Sequence, residues 1–403
     1  MSDPLKTFRN FYGKAAPLAI AVLMIALAIV PDTVLAGGEK KTVYFAGLAL
    51  SGTAAESAAS FPHTLALMQE RSEEGGANLQ QELWDAISSA PLAHLHLETN
   101  LAEHSDIEGA VALAMLVDWE NVSREKLGDT TKMVADLHAQ ALLFDYSSKR
   151  VLAAYPVDRQ LIHVVQGDPD AGTEASLIRA LYFNESDNIF HQFARRLQDL
   201  EVRASYGNAI RVMSVALEDQ ALEMLRAHGQ DPDVFQGWVA DQFGKRFSDR
   251  LQVPFIPYAK GVAIGASMAA RFANGDVYQL ELPEPDYRVH FVVRGFKKVL
   301  LDSNSAEAAW AYGTYLNVRI ANYDDSRVYL DAPFKFGAVK KVPSSAQQLD
   351  DWTAFRESIF SLLDQICVQV TQQDRRWLNK WSDGREVQKQ LRELNRQVIE
   401  RSR

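Results

Sequence analysis

Three long apolar runs near the C-terminus constrain this chain most. Residues 287–301, 308–321 and 327–339 read as strands, and Asp324-Asp325-Ser326 supplies the turn between the last two. Long strands joined by short turns form an antiparallel meander that packs one face on a core. Asn274-Gly275, between the apolar runs 262–272 and 277–282, is the sequence signature of a tight hairpin turn.

The remainder alternates strand and helix patterns. Residues 41–50 and 110–120 read as buried strands. Residues 133–146 and 150–157 flank Ser147-Ser148-Lys149 as a hairpin, with Pro156 ending its second strand. Helical spacing covers 54–71 and 79–88, and recurs at Ile189, Phe190, Phe193, Ala194, Leu197 and Leu200. Asp231-Pro232 opens another helix as N-cap and first turn, with Phe235, Trp238, Val239, Phe243, Phe247 and Leu251 as its apolar face. A strongly amphipathic helix spans 351–370, and the tail is helical again after Gly384. No internal repeat is evident in the sequence.

The fold class that follows is α+β: mixed and antiparallel sheets with packed helices, the C-terminal meander being followed by amphipathic helices. The division read from the sequence is a signal peptide at 1–36, an N-terminal α/β region at 37–165, and a mainly helical middle at 166–257. An antiparallel β region at 258–345 and C-terminal helices with a basic arm at 346–403 complete it.

The N-terminus carries an export signal. Lys6, Arg9 and Lys14 precede an uncharged, mostly apolar run at 15–30; Pro31-Asp32 then break it. Val34 and Ala36 occupy the positions a signal peptidase reads before Gly37. The alternative is an inner-membrane anchor formed by residues 15–30, but a spanning helix needs about 20 apolar residues to cross about 30 Å of hydrocarbon. Either reading exports the body to the periplasm or beyond. The single cysteine, Cys367, lies in a helical apolar pattern and reads as a small buried hydrophobe. It leaves no intramolecular disulfide and no cysteine-based metal site.

Composition excludes further classes. Forty-two Lys and Arg against 52 Asp and Glu give a net charge of −10, which argues against a nucleic-acid partner. The sequence holds no G-x-S-x-G elbow, no H-E-x-x-H, no Walker A loop and no G-x-G-x-x-G. Asp168-Pro169-Asp170-Ala171-Gly172 lacks the downstream ligands of a calcium loop and reads as a turn. Asp118 and Glu120 sit as an acidic pair at the end of the 110–120 run, a solvated strand end. The candidate metal ligands are His94, His96 and Glu98. On a strand they share one face, where two imidazoles and a carboxylate could hold a divalent ion; His104 follows six residues later.

The last 30 residues reverse the charge of the body, with nine basic residues against five acidic ones. Arg375, Arg376 and Lys380 accompany Trp377 and Trp381, one helical turn apart. Such a helix can dock on the acidic body, meet a protein partner, or lie peripherally on an anionic membrane. Read as an arm, it is separable: removing residues 372–403 is expected to leave the body folded. The functional expectation is an exported, non-catalytic protein with no resident cofactor, acting through contact with an envelope protein. The alternative is a metal-binding protein or metal-dependent enzyme built on His94, His96 and Glu98. N-terminal sequencing of the exported protein is expected to begin at Gly37, whereas an intact leader would mark an anchor.

Overall fold

The computed structural model describes residues 40–400, apart from 53, 71–77, 100–108, 128, 199, 203–208, 252, 259–266, 273–276 and 344–350. The leader, His104 and the Asn274-Gly275 turn lie outside the described residues. Residues 41–403 form one compact unit, which draws strands from every segment up to the C-terminal helices.

In chain order, β1 (Lys41–Ser51) leads into helices α1 (Ala54–Ser60), α2 (Pro62–Gln69) and α3 (Leu79–Ser88). Then come β2 (Leu95–Glu98), the meander β3 (Val111–Leu127), β4 (Thr130–Asp145) and β5 (Val151–Gln166), and helices α4 (Thr173–Phe183) and α5 (Ile189–Gln198). The second half starts with β6 (Ile210–Leu217), α6 (Asp219–Ala227) and α7 (Pro232–Leu251), followed by β7 (Phe255–Ile256), β8 (Ser267–Phe272) and β9 (Val277–Glu281). It continues with the meander β10 (Tyr287–Ser303), β11 (Glu307–Asn322) and β12 (Val328–Pro343), and ends with α8 (Asp351–Gln372), α9 (Arg375–Trp381) and α10 (Arg385–Leu394). All twelve strands join one mixed sheet in the order β12-β11-β10-β6-β7-β5-β4-β3-β1-β8-β9, with β2 beside β1. The α+β class and the C-terminal meander followed by helices are as the sequence implies.

The architecture is built twice. In each half a first strand pairs in parallel with the first strand of a meander, β1 with β3 and β6 with β10. Both meanders have strands of 17, 16 and 16 residues. The parallel ladder slips after the third residue of the long strand in each half, at Leu113 and at Val289. The antiparallel ladder then breaks at the same depth, between Val117 and Trp119 and between Val293 and Gly295. The two-residue strand β7 splices the halves, pairing with β5 at Ala154 and with β6 at Ile210 and Arg211.

Two local departures from the sequence reading have simple causes. Pro156 does not end β5, which runs on to Gln166. Strand β5 meets β7 only at Ala154, so its far side is an edge where a missing N–H breaks no ladder. The helical run 54–71 divides at Phe61, because Pro62 starts a new helix as its first residue.

Each half has its own core. The apolar face of β3–β5 packs under α3, α4 and α5 around Leu113, Leu137, Phe190 and Phe193. The apolar face of β10–β12 packs under α7, α8 and α10 around Phe243, Phe291, Phe355 and Leu391. The tail belongs to this second core. Leu378, Val387, Leu391, Leu394, Val398 and Ile399 are all buried in it, while Trp377 and Trp381 lie against Phe334 and Phe336. Residues 372–403 are therefore not a detachable arm, which corrects the sequence expectation. Burial of six such side chains at roughly 1.5–3 kcal/mol each rivals the whole stability of a domain, about 5–15 kcal/mol. Accordingly, Leu391→Ala is expected to cost about 2–5 kcal/mol in urea unfolding. Deletion of residues 375–400 is expected to abolish the cooperative transition seen by circular dichroism.

Candidate functional site

One extra residue in β3 turns a set of polar and ionisable side chains toward α7 and α8. Before the ladder break, Val111, Leu113, Met115 and Val117 face the first core. After it the parity reverses, and Glu120 and Val122 face that side instead. Asp118 and Trp119 both turn to the opposite face, toward α7 and α8. A bulge re-aims side chains in this way because it breaks the strict alternation of a strand.

Strand β4 lines the same face by simple alternation. Met133, Ala135, Leu137 and Ala139 face the core, and Val134, Asp136, His138 and Gln140 face the other way. Helix α7 brings Asp241, Gln242 and Lys245 over this polar stripe. Lys245 pairs with Asp118 at 3.1 Å, with side chains only 2% and 7% exposed. Gln140 donates its amide to the same carboxylate. Gln242 bonds His138 Nδ1 at 3.0 Å, and the imidazole lies 6.4 Å from the Trp119 ring.

Burial sets the protonation states. It holds the His138 imidazole well below its ordinary pKa, and the charges of Lys245, Arg246 and Arg356 push the same way, so the ring is neutral. Burial, with the neighbouring Asp118 charge, pushes the Asp241 carboxyl up to about 8. Burial also raises Asp136, although Gln160 donates to its carboxylate at 2.6 Å.

Beside this network lies a cavity of about 430 Å3. Its walls come from β4 and β5 on one side and from α7 and α8 on the other. Arg356 of α8 enters it between two indoles, its guanidinium carbon 5.2 Å from the Trp238 ring and 6.0 Å from the Trp119 ring. Val134, Ile162 and Phe360 add apolar wall.

The residues singled out by sequence lie elsewhere. His94 and His96 are exposed beside β1; His96 Nε2 is 3.6 Å from Glu98, while His94 Nε2 approaches Glu201 at 4.0 Å. Among the described residues no three metal-ligating side chains gather in one place. The acidic pair is divided and is not a solvated strand end: Asp118 takes Lys245, and Glu120 accepts the backbone N–H groups of His63 and Thr64 at the start of α2. Glu120 thereby satisfies donors that a helix start leaves open. Arg375, Arg376 and Lys380 are exposed on α9. Sequence reasoning missed Asp136, His138, Gln242, Lys245 and Arg356. A usable signal was present in β4, where Lys132, Val134, Asp136, His138 and Gln140 alternate with apolar residues.

No family model and no curated protein matches the chain. Sixteen solved chains match in structure. A minor lipoprotein from Acinetobacter baumannii is 11% identical over 43% of this chain and 93% of its own, with a TM-score of 0.20. A neuraminyllactose-binding hemagglutinin homolog from Helicobacter pylori is 11% identical over 43% and 88%, with a TM-score of 0.24. A DUF330 protein from Xanthomonas campestris is 19% identical over 22% and 46%, with a TM-score of 0.14. At scores this low none of these likenesses carries an argument about fold or function.

The raised Asp241 has a signed consequence. Its carboxyl keeps its proton in the folded state between about pH 4 and 8, where the unfolded chain has lost it. Stability from this group is complete below about pH 4 and is lost as pH rises toward 8, with a slope of at most about 1.4 kcal/mol per pH unit. The depressed His138 acts oppositely, losing stability as pH falls below its unfolded value of 6.5. Asp241→Asn is therefore expected to gain stability over the native protein steadily from pH 4 to 8 in denaturant titrations. A difference that does not change with pH would remove Asp241 as its source.

Proposed function

We propose that this chain is an exported, non-catalytic protein of the bacterial envelope that works through contact with a protein partner. The observation that carries this reading is the free end of the second meander. Strand β10 leaves its parallel neighbour at Val293, and from there β10, β11 and β12 continue as a three-stranded ribbon. Val299, Leu300, Leu301 and Val339 are 39%, 45%, 55% and 59% exposed on it. Val299 and Val339 flank Ala311 in register, so they form one apolar strip across the three strands. Clustered exposed apolar side chains on a soluble body are a mark of interaction surfaces.

Two further features support the reading. The three-part leader directs the body out of the cytoplasm. Three acid–base groups beside the cavity have side-chain partners: Asp118 with Lys245, Asp136 with Gln160, and His138 with Gln242. The exposed Arg375, Arg376 and Lys380 add a basic face on α9 for an acidic partner or for peripheral membrane contact.

A photo-reactive residue at position 300 tests this in the native envelope. It is expected to give a discrete cross-linked protein, whereas the same residue at Val234, which is more exposed (55% against 45%), is not. Leu300→Asp combined with Leu301→Asp is expected to remove the product with little change in melting temperature, since each residue already presents about half of its surface to water. Equal labelling from both positions, or none from position 300, would defeat the reading.

A further inference from the structure

The cavity between the first meander and helices α7 and α8 has the graded wall of a small-molecule site. Its inner part is polar and closed, with His138 at 8% and Gln242 at 1% exposure beside Asp136 and Arg356. Its rim is apolar and open, with Ile162 at 55% and Phe360 at 37% exposure. A volume of about 430 Å3 falls in the roughly 300–1,000 Å3 range of such sites. We propose that this cavity binds a monocarboxylate with an apolar tail, the carboxylate on Arg356 and the tail between Val134, Ile162 and Phe360.

The head-group assignment follows from the guanidinium. Its planar donors match a carboxylate in two parallel hydrogen bonds, and the rings of Trp119 and Trp238 fix its position before a ligand arrives. A preset cation loses less freedom on binding than a mobile one. Burial raises the pKa of the Asp136 carboxyl beside it, and Gln160 donates to that carboxyl at 2.6 Å. A doubly charged phosphate fits less well. Lys132 lies 3.9 Å from Glu125, which also takes Lys340, and Glu357 stands on the same wall. The depth order of the wall fixes the ligand's direction, head inward and tail toward the rim, since apolar chain gains by meeting apolar side chains.

Isothermal titration of the mature protein tests this with decanoate, and with decanol and acetate as the tail without the charge and the head without the tail. Decanoate is expected to saturate one site, with decanol and acetate at least tenfold weaker. Arg356→Gln is expected to weaken decanoate at least tenfold. Ile162→Glu is expected to do the same from a rim position where folding is not at stake. A peptide ending in Leu-Leu, with a free or an amidated C-terminus, separates a peptide source from a lipid source of the same chemistry. Carboxylate-dependent binding of either probe supports the site. Equal affinity for decanol and decanoate, unchanged affinity in both variants, or no saturable binding of either carboxylate would overturn it.

Discussion

The two halves of this protein meet across a buried ion pair. Asp118 stands on the first meander and Lys245 on a helix of the second half, with side chains 7% and 2% exposed. Desolvating two such charges is expensive, and their attraction repays it only when the remaining hydrogen bonds are made. Gln140 supplies one of these to Asp118. Removing either partner alone would strand a charge in the interior, at about 3–5 kcal/mol. The pair therefore pins α7 against the polar stripe of β4. Once α7 is seated, Gln242 reaches His138 and Trp238 reaches Arg356, and the cavity is what remains between helix and sheet.

The repeated architecture explains why a pair of this kind has a place to form. Each meander has one apolar face, and its own helices cover that face. The second face has a different fate in each half. In the first half, Ala112, Ala114 and Leu116 pack with Leu280 and Leu282 from the segment at and just after β9. Beyond the bulge the same face turns polar and meets α7. In the second half the corresponding positions on β10 are Arg288, His290 and Val292, which are half-buried. There His290 bonds Ser214, and Arg319 on the neighbouring strand pairs with Asp331. The two halves thus differ in what they present on the face their own helices do not cover.

The tail shows how charge and burial coexist on one helix. Arg375, Arg376 and Lys380 stay in water, while Leu378 turns fully inward and Trp377 and Trp381 cover the aromatic rings of β12. Asp374 accepts from the N–H groups of Arg376 and Trp377, closing the helix start. An amphipathic pattern in sequence marks both faces correctly and says nothing about which surface the apolar one will cover.

Much of this was legible in the linear chain. Strand and helix periods, the long C-terminal meander, the Asp231-Pro232 helix start and the α+β class follow from local rules, because propensity and alternation act over a few residues. The repeated architecture was not legible, since the halves share strand lengths and ladder slips rather than side chains: Ala112, Ala114 and Leu116 answer to Arg288, His290 and Val292. Nor was the site. A single unpaired residue at Asp118 reverses the facing of everything after it in β3, and a ladder break is a property of two strands together. Sequence alone determined which elements form and which of their faces are apolar. Only the tertiary structure decided that Asp118 meets Lys245 across 127 residues of chain, because long-range pairing depends on how packed layers dock, and no local period records that.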